Sequence, residues 1–474
     1  MASVSAQRGF WDFGVSLIVL IGCADLLFWG RAPGVSLPLM AAAVFVAACL
    51  RNEVAPRDAV RPALLLMIGA LPAVEYVQPL SVVFLALSLA LALAWAVRPA
   101  LLLGEIPRAG FDRAVAVLQR WRGMVTAPLA LIPAARDGGA VTDAAPRDWR
   151  APVRAVFRNW ALPVGGTLVF ASLLLQANPV LLDFVSPDIN AVALIDRAVF
   201  WAGLALMITP LLDRGPAPER SLPNMPSAPR LSRFGVNEGS VLRALWTFNA
   251  LIAVQTVLDL SILVGGAALP EGMSYAEYAH RGAYPLLATA LLAGVFALAA
   301  RPFLEQGKTL KPLLYLWLGQ NVVVCVTAFM RLDLYVAVYG LTYLRLYAMI
   351  WMALVAAGLG LTAMQVAARR SNGWLLRAAT ALGLSTLYAA SFINFAHVIA
   401  RHNITLPEPD WEYLCRLGPM TGLKFDAAKP DHTSSLRQPC YSSPAVIESW
   451  PEWGFRIHRL ARYAAPDTAR ERAE

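Results

Sequence analysis

Long apolar runs separated by short polar turns dominate the chain. A helical run of about 20 apolar residues covers the hydrocarbon core of a bilayer. The pattern predicts about eleven such spans: 10–29, 34–50, 63–77, 80–97, 160–177, 191–212, 244–264, 275–300, 312–331, 341–367 and 378–399. The expected fold class is an all-α integral membrane protein of about eleven transmembrane helices with a small periplasmic C-terminal tail. Asp25 inside the first run, and the lack of a small-residue cleavage site after it, mark a retained helix rather than a signal peptide. The third run is short and carries Pro72 and Glu75, and the turn at Gln78 and Pro79 joins it to the fourth as a hairpin.

Four regions follow from this pattern: spans one to four over 1–104, a cytoplasmic loop over 105–155, spans five to eleven over 156–400, and the tail over 401–474. In the loop, Phe111, Val115, Leu118, Trp121 and Val125 recur at helical spacing with Arg113, Arg120 and Arg122 off that stripe, as in a helix lying on a membrane surface. A proline-rich cytoplasmic linker over 213–239 carries Pro216, Pro218, Pro223, Pro226 and Pro229.

Composition agrees with the pattern. Over 474 residues, 58% are hydrophobic and 15% charged, against about 25% charged in soluble domains, and mean hydropathy is +0.55. The formal charge of +9 does not point to nucleic acid, because no basic patch is interleaved with aromatics. The basic residues instead alternate by loop. Arg51, Arg57 and Arg61 follow span two; a dense arginine run lies between spans four and five; Arg214, Arg220, Arg230 and Arg233 follow span six; Arg301, Lys308 and Lys311 follow span eight; Arg369 and Arg370 follow span ten. The other loops hold little beyond Arg31 and Arg331 and the acids Asp183, Asp188 and Glu271. Basic loops stay in the cytoplasm, so the expected location is the bacterial inner membrane with a cytoplasmic N-terminus and a periplasmic C-terminus. An oxidising compartment permits Cys415 and Cys440 to pair, with Trp411, Tyr413, Tyr441, Trp450, Trp453 and Phe455 packed around the bond or resting on the bilayer. Cys23, Cys49 and Cys325 fall in apolar runs and read as small core residues.

With that orientation Asp25, Glu75, Asp196, Arg197, Asp259, Glu277, His280, Arg281, Arg331, Asp333, Arg345 and His397 all fall in the outer half of the membrane or at its edge. On span seven, Asn249, Gln255, Thr256 and Asp259 share about a third of the helix circumference. Glu277 and Arg281 are four apart and can pair, as can His280 and Tyr284. The stretch 329–349 reads as a charged, tyrosine-rich turn between two spans, with Arg331, Asp333, Arg345 and Tyr335, Tyr339, Tyr343 and Tyr347 in it. Intramembrane ionisable groups are a site hypothesis by default; the alternative is that those near helix ends snorkel to the headgroups. The candidate ligand-binding residues are Asp259, Glu277, His280, Arg281, Arg331, Asp333, Tyr339 and Arg345. No catalytic residue can be named, since no nucleophile and base can be placed together. Gly307, Lys308 and Thr309 resemble half a phosphate loop but lack its earlier glycine and its strand. No cofactor motif and no metal-ligand spacing is found, so neither is expected.

The segments SYAEYAHRGAYPLL (274–287), RLDLY (331–335) and YGLTYLRLY (339–347) resemble an uncharacterised bacterial multi-pass membrane family, known only as a domain of unknown function (groups four-one-five-three and four-one-seven-three). The likeness runs roughly from span five to His402 and Asn403. It departs from the family pattern at Pro285 and Tyr343, where an acid is expected. The resemblance implies a multi-pass membrane protein and brings no activity with it.

The expected function is binding, sensing or moving a small molecule or lipid, without catalysis, through a periplasm-facing polar cavity. Two alternatives stay open: an intramembrane enzyme acting on a lipid-linked or envelope substrate, and a scaffold recruiting an envelope partner through its tail. Expected partners are membrane lipids, with an envelope protein or small-molecule ligand and no nucleic acid.

Overall fold

The computed structural model describes residues 2–102, 104–129, 191–212, 237–264, 272, 275–304, 309–422 and 447–464, with backbone alone at 2–12, 123–129, 191–194, 275–287 and 463–464. Every regular element among these residues is helical. The helices are α1 (Ala2–Phe28), α2 (Ser36–Arg51), α3 (Pro56–Glu75), α4 (Pro79–Val97), α5 (Ile106–Leu129), α6 (Ala191–Leu212), α7 (Glu238–Leu263), α8 (Tyr275–Ala300), α9 (Leu310–Tyr339), α10 (Tyr343–Ala367), α11 (Asn372–Ser391), α12 (Phe395–Asn403), α13 (Trp411–Arg416) and α14 (Phe455–Ala464). They gather into two compact units. One is Met1–Arg31, Met40–Ala63 and Ala90–Pro218; the other is Ala32–Leu39, Leu64–Leu89 and Glu219–Glu474.

Five helical stretches are long and apolar enough to cross a bilayer: Pro79–Val97, Ile195–Leu212, Glu238–Leu263, Leu310–Tyr339 and Tyr343–Ala367. The pair α11 and α12 passes the same test together, and Phe13–Phe28, Ser36–Arg51 and Ala288–Phe303 are shorter apolar helices. The surface pattern has the same meaning. On α7, Asn249 and Asp259 are buried while Leu251, Val254, Val257 and Leu258 are exposed. In water this distribution would be reversed; in lipid the apolar face is the one that meets solvent. The chain is a helical membrane protein.

In the first unit α6 packs against α1 and α5. On α5 the apolar residues Phe111, Leu118 and Trp121 face outward, while Arg113 is buried and donates to the carbonyl of Leu211 on α6 at 3.2 Å. The second unit is built on α7, α8, α9 and α10. Leu245, Leu314, Leu318, Val324 and Leu359 form its core with Ala290, Ala293 and Ala297 of α8. Small residues let helix backbones approach closely where lipid supplies no hydrophobic drive. Phe248 meets Phe296 and Trp317, each with ring centroids 5.3 Å apart. The α3–α4 hairpin follows the same rule: a Cβ on Gly69 would lie 2.2 Å from that of Ser88.

Two boundaries differ from the sequence expectation. The ninth span does not end near Arg331. The helix continues to Tyr339, so Arg331, Asp333, Tyr335 and Tyr339 are helical and the turn is only 340–342. Helix α9 stops because Gly340 adopts φ +77°, a left-handed value that glycine takes without strain. Nor is the eleventh span one helix. It ends at Ser391, bends by 69° and restarts at Phe395, where the Asn394 side chain accepts from the N–H of His397 and caps the new helix. The expected fifth span and the proline-rich linker lie outside the described residues, apart from 237–239 at the linker's end.

Candidate binding face

Within the second unit α7 and α9 run parallel. Asn249, in the first half of α7, donates to the carbonyl of Leu313 at the start of α9 at 3.1 Å. Asp259, one turn from the end of α7, meets Thr327 and Arg331 near the end of α9. The Asp259 carboxylate accepts from three side chains: Gln255 Nε2 at 2.7 Å, Thr327 Oγ1 at 3.1 Å and an Arg331 guanidinium N–H. Gln255 lies one turn before Asp259, the i,i+4 relation the sequence predicts.

This ion pair is buried, with side-chain exposure of 2% for Asp259 and 7% for Arg331. Removing such charges from water costs several kcal/mol per ion, returned only with good geometry and further hydrogen bonds. Asp259 has those bonds. The surrounding polar groups are less complete: among the described residues the Thr256 hydroxyl on α7, Asn249 Oδ1, and Asn321 Oδ1 on α9 are buried without a partner. A buried seam of polar groups that the described residues leave incomplete is uncommon and calls for a cause.

Past Arg331 the turn between α9 and α10 is tied down from three sides. Arg345 donates to the carbonyls of Tyr339, at 2.8 Å, and Gly340, and its guanidinium stacks 4.2 Å over the Tyr335 ring. A cation on the last carbonyls of a helix is favourable to its dipole. Asn403, at the end of α12, donates to the Leu341 carbonyl at 2.9 Å and accepts its N–H at 2.6 Å. The Tyr343 N–H donates to the hydroxyl of Tyr413 on α13 at 3.4 Å.

The break between α11 and α12 lies against this turn, Tyr347 of α10 meeting Phe395 edge to face at 5.6 Å. It is clasped by the tail. Asn394 donates to the Met420 carbonyl at 2.8 Å, and His397 Nδ1 lies 2.7 Å from the Thr421 carbonyl. Arg456 of α14 donates to the Ser391 carbonyl at 3.1 Å and to Glu75 Oε1 at 3.2 Å, and Arg459 donates to the same Glu75 oxygen at 2.8 Å. Gln78 adds a bond to Ser391 at 2.9 Å. Thus the ends of α3, α9 and α11 and the starts of α4, α10 and α12 carry a linked polar layer.

In the first unit, Asp25 accepts from Arg197 Nε at 3.0 Å and Trp201 Nε1 at 2.8 Å, and Arg197 lies over Trp29 and Trp201.

Of the candidate residues, the structure brings Asp259 and Arg331 together and sets Arg345 on the Tyr339 backbone. Asp333 is exposed and makes no ion pair among the described residues. Glu277, His280 and Arg281 lie on α8, with side chains outside the described residues, as does that of Tyr284. Cys415 is disulfide-bonded, and Cys440 lies outside the described residues. Sequence reasoning missed Thr327, Asn403 and the two tail arginines. The i,i+3 spacing of Arg456 and Arg459 was the available signal for the last two, with nothing to name Glu75 as their partner. Among the described residues no three His, Cys, Asp or Glu side chains gather as metal ligands would.

The family described as Domain of unknown function (DUF4153) matches residues 62–427. Neither a curated protein nor a solved structure matches the chain.

Proposed function

The chain belongs to this family of unassigned activity, and from its geometry we propose a bacterial inner-membrane protein that binds, senses or moves a small molecule or lipid without catalysis. The observation that carries this reading is the Asp259–Arg331 pair, buried between lipid-facing helices beside the Thr256 hydroxyl, which has no partner among the described residues. An apolar contact would hold α7 and α9 together at lower desolvation cost. Ionisable groups kept at such positions line ligand or ion pathways. A ligand carrying a cation would compete with Arg331 for Asp259; an anionic one would compete with Asp259 for Arg331. The exposed Asp333, Tyr339 and the Arg345 turn form the rim in this reading.

The topology goes with the proposal: about eleven spans, a cytoplasmic N-terminus, and the polar layer and tail in the periplasm, a reading that the arginine distribution supports. A cryo-EM map of the protein in native lipid discs tests it. Non-protein density touching Asp259, Thr256 or Arg331 is expected; a seam closed on protein atoms alone contradicts it.

A second reading, a scaffold for an envelope partner, is favoured by one feature. The tail helix is anchored by the buried Arg456–Glu75 pair while Trp450 stays 64% exposed. Loss of function on removing 401–474, with Asp259 variants fully active, would select it.

A further inference from the structure

The far end of the second unit, where α9 and α11 begin and α10 ends, holds a cavity of about 410 Å³ that the reading above does not use. Its size lies in the range of small-molecule sites. Among the described residues Arg301, Lys311 and Arg369 line it and no acid does. The arginine is fixed in place: Arg301 donates to Asn372 Oδ1 and to the Arg370 carbonyl. Lys311 and Arg369 make no ion pair among the described residues. Arg369 takes φ +49° just past the C-cap of α10, where the Arg370 N–H closes the helix end onto the Gln365 carbonyl at 2.9 Å. Lys311 sits in the first turn of the 30-residue α9, whose N-cap Thr309 supplies no side-chain cap.

The decisive atom belongs to Gln365. This residue is 1% exposed, lines the cavity, and donates its Nε2 to Asn372 Oδ1 at 2.9 Å. Among the described residues its Oε1 has no donor. Flipping the amide does not help, because two acceptor oxygens would then face each other at Asn372. A buried acceptor beside three cations asks for a ligand that brings both a negative group and a hydrogen-bond donor.

We infer that this cavity binds a phosphate ester carrying a hydroxyl: the phosphate among Arg301, Lys311, Arg369 and the start of α9, and the hydroxyl donating to Gln365 Oε1. Charge-assisted bonds to a phosphate favour guanidinium and ammonium donors, and the hydroxyl satisfies the orphaned oxygen. Two sources offer this chemistry, the headgroup of a glycerophospholipid such as phosphatidylglycerol and a soluble polyol phosphate.

The test uses the full-length protein in neutral detergent, with thermal shift and native mass spectrometry against phosphatidylglycerol, phosphatidylcholine, glycerol 3-phosphate and inorganic phosphate. Saturable binding of phosphatidylglycerol over phosphatidylcholine is expected, weakened by salt and roughly tenfold weaker in Lys311→Gln/Arg369→Gln. Arg369 is exposed, so Arg369→Gln alone keeps the test valid if the double variant does not fold. Competition by glycerol 3-phosphate identifies a soluble ligand; binding of the lipid without such competition identifies a headgroup. Inorganic phosphate binding as tightly as the esters removes the role of Gln365 and overturns the assignment. So does equal binding by the wild type and the Arg369 variant.

Discussion

Arg456 and Glu75 stand 381 positions apart in the chain and 3.2 Å apart in the fold, both almost fully buried. The last described helix of the protein is thereby fastened to the end of the third. Arg456→Ala would leave Glu75 with Arg459 alone, which is half exposed. Breaking a buried pair from one side costs on the order of 3 kcal/mol, so α14 is expected to detach first. Hydrogen exchange over 455–462 should rise well above wild type while α9 stays protected. Unchanged protection would show the pair to be incidental.

The same docking can be probed from the other side. A Cβ on Gly34 would lie 2.3 Å from the Glu452 backbone carbon, and Val35 donates to the Trp453 carbonyl at 2.7 Å. Backbone cannot yield as a side chain tip can, so Gly34→Ala should release 450–453 and lower stability by about 1–3 kcal/mol, the usual cost of overpacking. Gly383 on α11 has nothing within 4 Å, and Gly383→Ala should gain up to about 1 kcal/mol from helix propensity. Thermal melts of the two variants moving in the same direction would contradict this account.

Asn403 satisfies both backbone groups of Leu341 in a buried turn. Asn403→Ala leaves a donor and an acceptor unserved, each costing about 1–3 kcal/mol. The expected result is a lower melting temperature and faster exchange at the Leu341 amide. Arg345→Ala should loosen the same turn less, since its partners are carbonyls at a partly exposed helix end.

Five cysteines are present, of which Cys23, Cys49 and Cys325 are free and Cys415 is disulfide-bonded. The proposed pair is Cys415 with Cys440. Thiol labelling of the denatured, unreduced protein should give three modified residues, and prior reduction should give all of them. Labelling of Cys415 without reduction would refute the bond.

Much of the fold was legible because bilayer thickness imposes a length on apolar runs, and each of the five stretches long and apolar enough to cross a bilayer overlaps a run read that way. Element ends were less legible. Arg331 and Asp333 look like turn residues in a sequence, yet α9 carries them because Arg331 has Asp259 inside the bundle to pair with. The break at Ser391 was hidden for a similar reason: no proline marks it, and its freed carbonyl is served by Gln78 and Arg456 from remote parts of the chain. Asp259 was identifiable from its helical face with Gln255. Its partner was named only as another candidate, because periodicity gives a face and not the helix that covers it. Gln365 and Arg301 were invisible as a site, since the cavity depends on four helix ends meeting.

The central claim is that Asp259 and Arg331 are retained for a ligand rather than for stability. Replacing both, as Asp259→Leu with Arg331→Met, removes the charges without stranding either. Melting temperature and the species that co-purify from native lipid should be measured together. The account predicts a melting temperature equal to or above wild type, with the bound species lost. A sharp fall in melting temperature, or a bound species retained unchanged, would contradict it.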